Sequence, residues 1–162
     1  MPYTPEQRTV HIKAATSAGF VGGALHVVKN HLLLDSLNHG RDFLTLTGVS
    51  IREATELLPF FALRQSETLA ILPPPGESLD DDQVRPGMVA HKVMCLLPAA
   101  GAISGTVSVL KDVRLSDFLA THHAFFAVRD AHLRLGAFGI NDTEATAVLV
   151  NASRIVGITE FS

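Results

Sequence analysis

The chain repeats itself, and that repeat limits its fold more than any single motif does. Placing Gly23 over Gly105 and running without a gap to Ile51 over Leu133 gives seven identities in 29 positions. They are Gly23/Gly105, Val27/Val109, Lys29/Lys111, Leu33/Leu115, Asp35/Asp117, Leu37/Leu119 and Phe43/Phe125. Chance at ordinary composition gives roughly two. Apolar positions also face apolar ones, as in Leu25/Val107, Val28/Leu110, Leu44/Phe126 and Leu46/Val128, and Gly19/Gly101 extends the match upstream. A second block, Ala62–Ile71 over Val148–Gly157, aligns after a four-residue shift placed in the surface-loop composition of 136–142. Two stretches with one apolar pattern must bury that pattern twice.

Each copy reads in the same order. A strand (Val10–Ala15, then Val89–Leu96) leads through a glycine-bearing turn at Gly19 or Gly101 to a second strand that alternates apolar and polar residues. The period then changes. Leu32, Leu33, Ser36 and Leu37 fall on one helical face, as do Leu115, Phe118 and Leu119. Asp112 or the pair Ser116-Asp117 is placed to cap the second of these short helices. A third strand follows at Phe43–Ile51 and Phe125–Leu133. Two closing strands pair tightly around turns at Gln65-Ser66-Glu67 and Asn151-Ala152-Ser153. Arg52–Leu58 adds an extra helical turn to the first copy. Five short strands with one helical insertion, in roughly 70 residues, match the size of a small closed barrel. The expected fold is therefore mainly β with short helices, as two tandem SH3-like barrels from an internal duplication.

Charge places the boundary between them. Residues 1–71 carry six basic and six acidic side chains, and 88–162 carry six of each. The whole formal charge of −3 sits in 72–87, which holds Pro73-Pro74-Pro75 and Asp80-Asp81-Asp82. Prolines remove backbone donors and adjacent carboxylates stay hydrated. The expected domains are thus 1–71, an acidic proline-rich linker at 72–87, and 88–162.

Several functions are disfavoured by composition. A net charge of −3 creates no field that gathers nucleic acid or acidic lipid. No apolar run reaches the ~18–20 residues that span a bilayer, and the start, Met1-Pro2-Tyr3-Thr4, has no secretion-signal pattern. A soluble cytoplasmic protein is expected. The single cysteine, Cys95, forms no internal disulfide and reads as a small core residue on a strand. The eight histidines (His11, His26, His31, His39, His91, His122, His123, His132) lack metal-ligand spacing and read as surface or strand-end residues, so neither metal nor cofactor is expected. Asp35 and Asp117 recur with Lys29 and Lys111, but a carboxylate at the start of a short helix stabilises the backbone amides there. No nucleophile elbow or phosphate-cradling loop occurs. A non-enzymatic protein is expected.

The glycine strand Gly105-Thr106-Val107, the segment Phe125–Ala131 and the run Val148–Ile158 together resemble the two-part signature of Sm and LSm-like proteins, in both halves. Arg114–Leu119 is also similar to a segment of uncharacterised bacterial domains. The resemblance implies small barrels that join edge to edge. It departs from the family where RNA is contacted: the helical segment Lys111–Thr121 replaces a short loop, and the usual basic-glycine turn is Asn151-Ala152-Ser153. The first expectation is therefore an interaction or scaffold protein, a homo-oligomer or a binder of a protein partner. It would associate through sheet edges and the inserted apolar residues Leu32, Leu33, Leu34, Leu115, Phe118 and Leu119. An Sm-like RNA binder is the alternative, with contacts falling on Lys111, Arg114, His122, Asn151 and Arg154. A small histidine-dependent metal protein is the third.

Overall fold

A computed structural model describes residues 6–39, 41–79, 86–121 and 124–161. His122, His123 and the linker aspartates 80–82 lie outside the described residues. The elements are β1 (Gln7–Thr16), β2 (Gly19–Val28), α1 (Leu33–Leu37), β3 (Phe43–Ile51), β4 (Leu58–Arg64) and β5 (Thr68–Leu72) in the first half. The second half contributes β6 (Met88–Leu97), β7 (Gly101–Leu110), α2 (Leu115–Thr121), β8 (Phe125–Leu135), β9 (Ile140–Asn151) and β10 (Gly157–Glu160). The mainly β composition is as expected. The alternation that marks strands in the sequence becomes burial in the structure: Val10, Ile12 and Ala14 turn inward while His11 and Lys13 face solvent.

The ten strands form one sheet in the order β10-β6-β7-β8-β9-β5-β1-β2-β3-β4, every pair antiparallel. It is not closed into a barrel, which corrects the expectation of two separate closed barrels. The reason lies at the closing strands. Among the described residues β4 bonds only to β3, and β5 bonds to β1 and to β9 of the other half. The 3-10 turn Gln65–Glu67 carries the chain away from β4, so the expected tight pairing of the last two strands does not form in either half. Arg52–Leu58 is turn and strand start, not a helical turn.

The two halves nevertheless share one strand order. The first half runs β5-β1-β2-β3-β4 across the sheet, and the second runs β10-β6-β7-β8-β9 in the same order. Registers agree as well. Val21 opposes Ile51 and Ala24 opposes Thr47; their counterparts Ile103 and Thr106 oppose Leu133 and Arg129. Both ladders break at the same place, where Gly48 and Asp130 take positive φ of 58° and 48°. The backbone presses close opposite these bulges. A Cβ on Gly105 would lie 2.6 Å from the Arg129 carbonyl, and one on Gly23 3.2 Å from the Thr47 carbonyl. That crowding explains why both copies have glycine there.

The second block of the repeat needs correcting by one residue. Leu63 pairs with Leu44, and Val150 pairs with Phe126. Since Leu44 and Phe126 are counterparts, Leu63 matches Val150 rather than Leu149, and the shift is five residues. A slip of one exchanges the faces of a strand. Val148-Leu149-Val150 is apolar at each position because both its faces are buried, so alternation could not fix the register.

Two apolar clusters fill the molecule, one per half, and they exchange residues where the halves meet. Phe125 and Leu149 of the second half lie in the first cluster, and Ala70 of the first lies in the second. The segment after β5 also does more than link. Leu79 is buried in the first cluster, its carbonyl accepts from the Leu34 amide at 2.8 Å, and Glu77 pairs with Arg8 at 2.7 Å. Among the described residues, no helix is long and apolar enough to cross a membrane.

Candidate functional site at the two sheet edges

The junction between the halves is a short β5–β9 ladder, Ala70 opposite Val150 and Ile71 opposite Leu149. Side chains reinforce it. Asn38, just after α1, donates from Nδ2 to the Phe125 carbonyl at 3.1 Å and accepts the Phe125 amide at 2.9 Å. Asn151 donates to the Thr68 carbonyl at 2.9 Å and to the Gln65 carbonyl at 3.3 Å, while its Oδ1 accepts from the Ser153 amide and hydroxyl. A buried amide satisfied on both sides fixes one geometry.

The sheet ends in β4 on one side and β10 on the other. These are the counterparts of β9 and β5, the strands that meet at the junction. Positions closed inside are therefore open outside. Phe125 is 0 % exposed and its counterpart Phe43 is 45 % exposed. Leu149 is buried in the first cluster, whereas its counterpart Ala62 is exposed. On the other edge, Leu69 is 2 % exposed and its counterpart Val156 is 71 % exposed. Ala15 and Leu96 differ in the same way. Phe60 adds a further exposed ring on β4. Pro59, without an amide hydrogen, is tolerated there because β4 is an edge.

The residues singled out from sequence are scattered. Leu33 is fully buried in its own half's cluster, Leu34 packs partly against that cluster, and Leu32 is half-buried at the start of α1. Leu115, Phe118 and Leu119 pack partly against the second cluster. The inserted helices thus turn much apolar surface inward, and α1 reaches the other half through Asn38. Lys111 and Arg114 are exposed beside α2. Asn151 is the junction clamp, and the Arg154 guanidinium lies 3.9 Å from Glu67. Among the described residues of the RNA set, Asn151 alone lines the hollow that Asn38, Arg41, Arg64 and Ser153 also border. The edge residues Phe43, Phe60, Leu96 and Val156 were missed as a surface. Their signal is in the repeat itself: apolar residues at positions that only a paired edge would bury.

Cys95 is buried on β6, as its apolar neighbours suggested, and burial pushes its thiol up to about 12. The hydrogen bond from His132, then the charge of Arg134, holds the exposed Asp142 carboxyl below its ordinary range. Among the described residues no three His, Cys, Asp or Glu side chains converge to hold a metal ion. No protein family, curated protein or solved structure was found to match this chain.

Proposed function

We propose that this chain is a non-enzymatic assembly protein whose copies join head to tail, β4 of one against β10 of the next. Each half would be an Sm-like, SH3-like unit derived by duplication, and each new contact would repeat the internal junction. The observation that carries this reading is the exposure of Phe43, Ala62, Leu96 and Val156 at positions whose counterparts are closed within the chain. Unpaired strand edges with apolar flanks seek a partner. By the internal register, Gly157 would oppose Leu63 and Ile158 would oppose Ala62. Two different edges make a heterologous contact, which closes as a ring when its rotation permits. The RNA-binding alternative is less favoured, because Asn151 spends its amide on the junction.

Light scattering on the purified chain at tens of micromolar tests this. Multiples of the 17.3 kDa protomer are expected, and a strict monomer would refute the reading. Phe60→Glu and Val156→Glu should each break one edge and leave the other intact. Separately each variant is expected to be monomeric; mixed, they should form a one-to-one dimer and nothing larger. A self-complementary contact would instead leave one of the two variants fully assembled.

A further inference from the structure

The two halves differ at a cavity. In the first half, a space of about 280 Å³ opens between the end of β2, α1 and the start of β3. The Ser36 hydroxyl is buried and has no hydrogen-bond partner among the described residues. An unsatisfied buried hydroxyl costs about 1–3 kcal/mol and calls for an occupant that bonds it. His26 lines the cavity with its Nε2 2.9 Å from the Thr47 hydroxyl. The exposed residues His31, His39 and Arg41 also line it, and the two imidazole rings lie 5.6 Å apart, centroid to centroid. Among the described residues Arg41 has no ion pair and no carboxylate lines the cavity.

The second half shows what the scaffold does without such a site. The counterpart of Ser36 is Phe118, whose ring stands edge-on against Phe126 at 6.3 Å. Phe126 is the counterpart of Leu44, which lines the cavity in the first half. The counterparts of His26 and His31 are Ser108 and Val113. One copy is plugged with carbon. The other has no such plug and has an arginine and imidazoles lining the opening.

We propose that the first-half cavity binds a small organic phosphate. Its phosphate oxygens would be held by Arg41 and the His31–His39 pair, its ester oxygen would accept from the Ser36 hydroxyl, and its apolar body would rest against Leu44. Arginine and imidazole N–H groups supply more donors than a carboxylate's two oxygens use, and they match a phosphate's three. Phe43 borders both this cavity and the proposed contact between copies, so the Phe60→Glu protein, altered on β4 outside the cavity, serves as the assembly-free control.

The experiment is calorimetric titration of the full chain with phenyl phosphate, inorganic phosphate, benzoate and phenol. Saturable binding of phenyl phosphate is expected, with a Kd of about 1 mM or below. Inorganic phosphate, benzoate and phenol should each bind roughly tenfold more weakly. Arg41→Ala should weaken phenyl phosphate by about tenfold. Ser36→Phe, which copies the second half, should abolish binding while the protein stays folded by circular dichroism. If Ser36→Phe does not fold, Arg41→Ala and His31→Ala decide the matter, and unchanged affinity in both would overturn the proposal. No saturation of the native chain by about 10 mM phenyl phosphate would overturn it as well, and so would phenol binding equally well.

Discussion

Phe125 and Phe43 occupy the same place in the two halves, opposite Asn151 and Arg64 respectively. One is fully enclosed by the junction, and the other lies exposed on β3 beside the edge strand β4, with the Arg64 guanidinium 4.5 Å above its ring. The scaffold is therefore the same while the surroundings differ, and the difference shows what the junction contributes. Truncation measures it. Phe125→Ala should lower stability by about 3–5 kcal/mol, and Phe43→Ala by under about 1 kcal/mol. Urea unfolding at the lowest workable concentration would give both values. Equal costs there would mean that the halves are not distinguished by the junction. A Phe43 cost that rises with concentration would sharpen the comparison, since that edge would then be closing on another copy.

The glycine pair separates the halves by crowding. A Cβ on Gly105 would meet the Val128 side chain and the Arg129 carbonyl, both at 2.6 Å, while on Gly23 the nearest atom is the Val49 methyl at 3.0 Å. Gly105→Ala should cost about 3 kcal/mol and Gly23→Ala about 1 kcal/mol. The backbone carbonyl cannot yield, but a valine methyl can shift. A reversed order of melting temperatures would show that the two bulges are not built alike.

That bulge also marks how far the sequence could be read. The gap-free block from Gly23 to Ile51 holds residue for residue in the hydrogen-bond ladders, because alternation on the central strands is clear and each glycine pins a register. Phe43 and Phe125 were legible as counterparts for the same reason. Legibility fails where both faces of a strand are buried, as at Val148-Leu149-Val150, since no polar residue then marks a face. It fails again at the sheet's continuity, because hydrogen bonding between β5 and β9 is made by the backbone and leaves no side-chain pattern. Leu79 was hidden by its prolines and aspartates: a lone leucine in a polar stretch carries no periodicity. Ser36 stood in plain view on an apolar helical face, but its meaning needed Phe118 beside it.

The hairpin turns offer a smaller test. The first half turns through Ser17 and Ala18 into Gly19, whose φ of 113° suits glycine. The second half instead places Ala99 and Ala100 at φ of 62° and 58°, a left-handed conformation that costs an alanine roughly 1–2 kcal/mol. Replacing them with Asn-Gly, which favours such a turn, should raise stability by about 1 kcal/mol. Replacing Ser17-Ala18 in the same way should give no comparable gain. Thermal melts of the two variants would check this difference.

The smallest effect, and the most selective in pH, concerns Cys95 and its counterpart Ala14, both fully buried. Burial raises the Cys95 thiol from an ordinary value of 9.0 to about 12. The folded chain therefore keeps a proton that the unfolded chain releases. Stability from this group is intact below pH 9 and is lost as pH rises from 9 toward 12, at about 1.4 kcal/mol per pH unit. Cys95→Ala, which copies the first half, should cost about 1 kcal/mol below pH 9 for the lost sulfur volume and should remove that alkaline slope. Lysine and tyrosine titrations are common to both proteins and cancel in the difference. Urea midpoints from pH 8 to 10.5 should thus converge and then cross. A difference that stays flat would mean that water reaches the thiol, and that the second core is open at the position where Ala14 seals the first.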